Sequence, residues 1–274
     1  MEVLQIKDLD FSYDGIRQVL KHVNLMIHQG ERIAVLGANG AGKSTLFLNM
    51  NGVLTPDSGE ILYKGQLVLR KNIHALRQHV GIVFQEADQQ IIASTVMAEV
   101  SFGPMNLRLS KDEVIQRVDE ALDYMDLSGY KYRAPHYLSG GEKKRVSIAD
   151  IIAMKPEVII FDEPTASLDP LSSTMLEEVL AKLSGEGKTL LISTHDVDFA
   201  YRWARRVLVF SEGELIADAA PEVIFKDAVL LEKAHLKRPM MLDVWETLIS
   251  KDLVDKSAPY PRCSEDFVKY FQSC

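Results

Sequence analysis

Cysteine is nearly absent from this chain: of 274 residues only Cys263 and Cys274 carry a thiol, both close to the end. A disulfide framework is therefore not expected. Long apolar runs are missing too, since none approaches the roughly 18 residues that a membrane-spanning helix requires. If the chain serves a membrane process, another chain must do the crossing. Basic excess is also lacking. Lys and Arg number 31 against 39 Asp and Glu, for a net charge of −8, which argues against a nucleic-acid partner because phosphate backbones demand a basic face. Met1–Asp10 (MEVLQIKDLD) has no basic stretch followed by an apolar one, so no signal peptide is expected and the chain reads as cytosolic. What is present, 47% hydrophobic residues, suffices for a full α/β core with one smaller appendage.

Residues 37–44 read Gly37-Ala38-Asn39-Gly40-Ala41-Gly42-Lys43-Ser44, a complete G-x-x-x-x-G-K-[ST] loop. The apolar run Arg32–Leu36 before it predicts a buried strand. Thr45–Asn51 after it predicts a helix with Leu46, Phe47 and Met50 on the apolar side. In that context the loop has one physical use, gripping the phosphates of a nucleotide. Gly37, Gly40 and Gly42 let the backbone fold tightly and turn its N–H groups toward an anion, and the helix start adds partial positive charge. Lys43 is expected to reach the β- and γ-phosphates and the Ser44 hydroxyl to ligate Mg²⁺. The plainer alternative is a glycine-rich turn before an ordinary helix.

Far downstream, the apolar run Val158–Phe161 leads directly into Asp162-Glu163-Pro164. A carboxylate at the C-terminal end of a strand in an open α/β sheet sits where ligands bind. Asp162 is expected in the Mg²⁺ shell, and Glu163 is placed to polarise an attacking water as a general base. Alone, Asp-Glu after a strand is usually a solvated loop; the loop at 37–44 changes that reading. The chain is expected to bind and hydrolyse a nucleoside triphosphate.

Between these elements lies Leu138-Ser139-Gly140-Gly141-Glu142, followed by a basic amphipathic helix from Lys143 to Met154. The serine and two glycines predict a second helix N-terminus and hence a second anion site. Two phosphate sites on one chain make sense if each chain closes over the nucleotide of its partner. These residues resemble the ATP-binding cassette family, in which LSGG-x is the signature sequence. The resemblance covers roughly residues 1–230. It implies an α/β phosphate-loop ATPase fold with an antiparallel β subdomain and an inserted helical subdomain.

Other elements then follow the order of the family. Tyr13, in Phe-Ser-Tyr-Asp-Gly, matches the aromatic residue that stacks on adenine, although an isolated Tyr at a strand end is usually packing. Gln85, closing the predicted strand Val80–Phe84, matches the glutamine that contacts Mg²⁺ and the water. Ser167-Leu168-Asp169 matches the loop that couples the two sites of a dimer, and Asp169-Pro170 equally suits a helix cap followed by proline. His195, after the predicted strand Thr189–Ser193, matches the switch histidine that senses the γ-phosphate. The resemblance thus implies Glu163, His195, Gln85 and Lys43 in catalysis. It puts Tyr13, residues 37–45 through Thr45, and Ser139, Gly140 and Gly141 on the nucleotide, with Ser44, Gln85 and Asp162 on Mg²⁺.

Along the chain, alternation in Val3–Tyr13 predicts a half-buried strand, and Leu25–Ile27 another that ends in a turn at His28-Gln29-Gly30. Helical periodicity dominates from about 88 to 155. There Ser110 and Glu113 predict a capping box, and Val114, Val118, Ala121, Leu122 and Met125 an apolar stripe. Arg206–Phe210 and Leu215–Asp218 flank a hairpin turn. Residues 1–234 read as the ATP-binding domain, and 235–274 as a helical extension. In it Met240, Met241, Val244, Trp245, Leu248, Ile249 and Leu253 recur at helical spacing, Pro259 and Pro261 are expected to end that helix, and Ser264 to cap a final short one. The stripe either packs on its own domain or joins the tails of two chains.

Two classes of function fit: the motor of a membrane transporter, or a soluble cassette ATPase acting elsewhere. Lys43 and Leu138 are too close in sequence to enclose the long coiled coil of repair-type members, and the chain holds one set of motifs rather than two. The transporter is therefore favoured. The run Gly81–Ile91 (GIVFQEADQQI), Val100–Leu107 (VSFGPMNL) and Leu236–Pro239 (LKRP) are similar to energy-coupling-factor importers, and within them to the cobalt/nickel branch. The resemblance implies a homodimer, or a pair with a paralogous ATPase, held at the cytoplasmic face of the membrane by a transmembrane coupling subunit. A separate substrate-binding membrane subunit would select the metal. Vitamin importers of the same type, or another importer, are the alternatives. Two departures stand out. Ser167 replaces a frequent glycine, and Asp150 occupies a position usually small and neutral, so it marks a possible partner-facing surface.

Overall fold

The computed structural model describes residues 1–166 and 168–273; the expectations resting on Ser167 and Cys274 fall outside them. Strand β1 (Glu2–Ser12) pairs antiparallel with β2 (Gln18–His28). β2 is far longer than the Leu25–Ile27 expected. Its charged and polar residues face solvent, and its register with β1 is interrupted by bulges, with His22 at φ 48°, so the alternation that marks a half-buried strand is broken in the sequence. Strand β3 (Arg32–Leu36) follows, then α1 (Lys43–Met50). β4 (Ser58–Tyr63) and the short β5 (Gln66–Leu67) complete an antiparallel sheet in the order β2-β1-β4-β5.

After α2 (Ile73–His79) comes β6 (Val80–Val83), and then the helical block: α3 (Ala87–Gln90), α4 (Val96–Asn106), α5 (Lys111–Tyr124) and α6 (Gly140–Ala153). The stripe on α5 is buried as expected. Ser110 caps α5 by accepting from Glu113 N, but Glu113 does not complete a box. Its carboxylate pairs with Arg117 at 2.8 Å, one turn on. β7 (Val158–Phe161), α7 (Pro170–Gly185), β8 (Thr189–Ser193), α8 (Val197–Trp203), β9 (Arg206–Ser211) and β10 (Glu214–Ala219) follow. The second sheet runs β10-β9-β3-β8-β7-β6, parallel except for β10.

This sheet is covered on both faces. On β3, Ala34 and Leu36 join a core shared with the helical block, whereas Ile33 and Val35 face the core beneath the antiparallel sheet. β7 divides in the same way, with Ile159 and Phe161 on one side and Val158 and Ile160 on the other. Burial on two faces is why both strands are continuous apolar runs. All strand C-termini of the parallel set end on one edge, which is where the functional residues collect.

The end of the chain forms α9 (Pro221–Ile224), α10 (Ala228–Lys233), α11 (Met240–Ser250) and α12 (Ser264–Ser273). Leu242 belongs to the core of the cassette itself, and Trp245, fully buried, meets Phe267 and Tyr270 edge-on at 5.9 and 5.0 Å. Arg262 fastens the segment by donating to Glu222 and to the Ala204 carbonyl. The stripe is therefore divided: Trp245 and Met241 pack on their own chain, whereas Met240, Val244 and Leu253 are exposed. Two expectations are corrected here. α11 ends at Ser250, well before Pro259, because Asp252 takes φ 55° and breaks the helix. Ser264 lies inside α12, its hydroxyl bonding to the Glu265 carboxylate rather than capping.

Candidate active site: a phosphate cradle and a second, outward-facing helix start

The loop 37–42 is shaped by close approaches that only glycine permits. A Cβ on Gly37 (φ 145°) would lie 2.3 Å from the Phe210 carbonyl oxygen, and one on Gly42 (φ 103°) would lie 2.9 Å from that of Val19. Helix α1 starts at Lys43, two residues earlier than expected, and Gly42 as its N-cap supplies no side chain to cover the first amides. Those N–H groups have no intrahelical acceptor and present a ready anion site. Lys43 is 5% exposed. Its ammonium donates to Gly37 O at 2.7 Å and Ala38 O at 3.1 Å, bracing the loop from inside. Burial pushes its pKa down, against the pull of Glu163 and Asp162.

The acidic side is set by β7 and β8. Asp162 is 8% exposed, and its Oδ1 accepts from Ser193 Oγ at 2.6 Å. The same hydroxyl accepts from the Glu163 amide at 2.8 Å. Ser193, unassigned by the sequence reading beyond closing β8, therefore orients both acidic residues. Glu163 sits at φ 43°, a left-handed conformation that a non-glycine residue holds only when its surroundings over-determine it. Its Oε1 accepts from His195 Nε2 at 2.7 Å and lies 4.0 Å from Lys43 Nζ. A carboxylate can only accept, so this contact places the imidazole proton on Nε2.

A cleft of about 1160 Å³ opens above the loop, walled by Tyr13, residues 38–45, Gln85 and Glu163. The structure thus brings together Tyr13, Ala38, Asn39, Gly40, Ala41, Gly42, Lys43, Ser44, Thr45, Gln85 and Glu163, with His195 behind Glu163. Gly37, Asp162 and His195 do not line the cleft; Gly37 O accepts from Lys43, and Asp162 accepts from Ser193. Tyr13 leans edge-on against Phe11 and places its hydroxyl 3.2 Å from Thr45 Oγ1, leaving the side chain well exposed. Arg17, Lys21, Lys233 and His235 also line the cleft. No local pattern announced them, for they arrive from two stretches distant in the chain, 17–21 and 233–235. Ser44, Gln85 and Asp162 supply hydroxyl, amide and carboxylate oxygens, the hard donors that suit Mg²⁺ rather than a softer metal. They fit that ion beside a nucleotide.

The signature residues lie elsewhere. α6 begins at Gly140, not Lys143, because Ser139 and Glu142 form a full capping box: Ser139 Oγ accepts from Glu142 N at 3.3 Å and Glu142 Oε2 from Ser139 N at 2.7 Å. The first-turn amides of Gly140 and Gly141 are left at the tip. Gly141 is packed tightly, since a Cβ there would meet Ser172 Oγ at 2.4 Å. Ser172 is itself held by Asp169, the N-cap of α7, so the cap-and-proline reading of Asp169-Pro170 holds in the structure. Ser139 and Gly141 border a separate hollow of about 250 Å³, and none of its lining residues belongs to the phosphate cleft.

Comparison with known proteins places the chain in a family. The family model described as ABC transporter matches residues 20–166, just over half of the chain. A putative ABC transporter ATP-binding protein of Methanosarcina mazei is 53% identical over 248 residues, covering 90% of this chain and 76% of that protein. The energy-coupling factor transporter ATP-binding protein EcfA of Methanocaldococcus jannaschii is 45% identical over 254 residues, covering 92% and 91%. Among solved structures, cbiO1 of Clostridium perfringens, described as part of the ABC transporter complex cbiONQ, superposes with a TM-score of 0.75 at 40% identity, covering 89% and 99%. The chain belongs to the ABC transporter family, as an ATP-hydrolysing, Mg²⁺-using cassette of the energy-coupling factor type.

Proposed function

We propose that the chain is the motor subunit of an importer for cobalt or nickel ions, working as a dimer at the cytoplasmic face of the membrane. The observation that carries the dimer is the separation of Ser139 and Gly141 from the phosphate cleft of their own chain. A second helix start with free amides, turned away from the first, completes a site only when it meets the cleft of another copy or of a paralogous ATPase. Among the described residues no helix is long and apolar enough to cross a membrane, so membrane contact runs through a transmembrane coupling subunit. In support of the metal cargo stand the wording of residues 81–91, 100–107 and 236–239 and the likeness to cbiO1. Residues 1–234 serve as the ATP-binding domain and 235–274 as its helical extension.

In this reading Tyr13 holds the adenine, and Lys43 with the α1 amides holds the phosphates. Ser44, Gln85 and Asp162 would hold Mg²⁺, which when bound supplies positive charge to offset that of the phosphates. Glu163 accepts the proton of the attacking water, and His195, donating from Nε2, keeps its carboxylate in place. The partner chain presents Ser139, Gly140 and Gly141 to the γ-phosphate. Water bonds to the γ-phosphorus as the bond from that atom to the β–γ bridging oxygen breaks, leaving ADP and inorganic phosphate. Once the phosphate departs, the anion shared by the two chains is gone, the chains part, and the attached membrane helices move.

A groove lined by Arg77, Phe102, Met105 and Asp150 offers the coupling subunit a seat. Phe102 and Met105 are exposed there, and Asp150 Oδ1 is buried with no hydrogen-bond partner among the described residues. Burial raises the Asp150 pKa to about 6, only partly offset by Gln90, whose Nε2 lies 3.2 Å from Oδ2. The folded chain therefore keeps a proton between about pH 4 and pH 6 that the unfolded chain releases. Stability falls as pH rises through that window, and at neutral pH the ionised group is a cost. Asp150→Asn is expected to stabilise the isolated chain by about 1–3 kcal/mol at pH 7 and by nothing measurable at pH 4. Thermal or denaturant melts at both values check this, and an equal effect at both would refute it.

The cargo is tested by purifying the tagged chain from detergent-solubilised native membranes and identifying the proteins that come with it. A polytopic coupling protein with a small metal-binding membrane subunit supports the proposal. A vitamin-binding subunit would keep the motor and overturn the cargo, and recovery with no membrane protein would overturn the transporter.

A further inference from the structure

One buried charge takes no part in the chemistry described above. Lys144 projects from the second turn of α6 and is 4% exposed. Its ammonium donates to Phe84 O at 2.7 Å and to Gln85 O at 2.9 Å; among the described residues no carboxylate forms an ion pair with it, although Asp162 attracts it from farther off. Burying a cation against carbonyls alone is costly. An apolar side chain of the same length would fill the space without that cost. The contact joins two separate sites: Ser139 and Gly141 stand at the start of α6 and face the hollow, while Gln85 lines the phosphate cleft of this chain. Neighbouring links between the same segments are weaker. Lys143 meets an exposed Asp88, a pairing worth little in water, and Gln90 makes neutral or peripheral bonds to Ser147 and Asp150.

We propose that Lys144 is a positioning residue that locks the Gln85 segment to the signature helix, so that displacement of Ser139 and Gly141 on meeting the partner is passed to Gln85 in the same chain. This rests on the roles given to Gln85 and to the signature residues. Lys144 is absent from the lining of the phosphate cleft and borders the hollow at Ser139 and Gly141; it acts through the backbone at Phe84 and Gln85. A cation holding two carbonyls has a directional grip that packing lacks, which accounts for the retained charge.

The test is steady-state ATP hydrolysis by the full-length chain, with ATP affinity followed by a fluorescent nucleotide. Lys144→Met keeps the stem and removes the donors. It should lower kcat roughly 10- to 100-fold, in the range of coupling between sites, with KM for ATP and the fluorescent-nucleotide affinity within about twofold. Lys144→Arg, which keeps charge and donors, should recover most of the loss. On a Gln85→Ala background Lys144→Met should cost little more, because the residue through which it acts is gone. Losses that multiply in the double variant, a fall in affinity equal to the fall in kcat, or no rescue by arginine would each overturn the proposal. Glu163→Gln run alongside separates the two levels. Wild-type turnover there overturns the site reading and this inference with it, whereas an inactive Glu163→Gln beside a fully active Lys144→Met overturns this inference alone.

Discussion

Glu163→Gln is expected to bind ATP at least as tightly as the wild type and to lose roughly 10²–10⁴ of its turnover, the usual worth of a positioned base. The substitution is nearly isosteric, and the amide oxygen can still accept from His195 Nε2, now 2.7 Å from Glu163 Oε1. Glutamine also tolerates the φ 43° backbone about as well as glutamate, so folding is spared. What disappears is the capacity to take a proton from water. The negative charge beside Lys43 disappears too, 4.0 Å from its ammonium. Lys43 then has one less competitor for its charge, which favours a bound anion. Phosphate release and nucleotide-binding titrations on the same preparation separate the two effects. Turnover at the wild-type level would remove Glu163 from the mechanism.

This geometry shows what could be read from the chain beforehand and what could not. Arg32–Leu36, Val158–Phe161 and Thr189–Ser193 were legible to the residue because strands buried on both faces leave unbroken apolar runs. The glycine loop was legible because close approach to Phe210 and Val19 admits no other residue at Gly37 and Gly42. The bulged, half-exposed β2 was not, since register shifts break its alternation. The start of α6 was misplaced by three residues because glycines argue against helix locally, while the Ser139–Glu142 box, formed across them, outweighs that preference. Ser193 and Lys144 were hidden for a different reason. A serine ending a strand and a lysine in a basic helix are ordinary in sequence. Their importance comes from what the fold sets beside them: two acidic residues in one case, the Gln85 carbonyl in the other. Arg17, Lys233 and His235 enter the cleft in the same way, from segments distant in the chain.

Lys43→Ala is the complementary case, in which binding itself should fail. The Lys43 ammonium holds Gly37 O and Ala38 O while it remains almost fully buried. Burial pushes its pKa down while Glu163 and Asp162 pull it up, so its charge is desolvated and poised for a stronger counter-ion. A phosphate supplies one. Charge-assisted hydrogen bonds contribute about 1.5–3 kcal/mol each, so loss of one predicts a fall in ATP affinity of about tenfold or more, and loss of two about a hundredfold or more. ADP should suffer less than ATP if Lys43 reaches the γ- as well as the β-phosphate, and AMP least of all. That graded loss distinguishes a phosphate contact from a collapse of the loop, which would weaken all three nucleotides alike. A circular-dichroism melt near the wild-type midpoint would complete the case, because it would show that the fold survives the loss of the two bonds from Lys43 to the loop. Unchanged affinity for ATP would refute the phosphate-binding role of the loop.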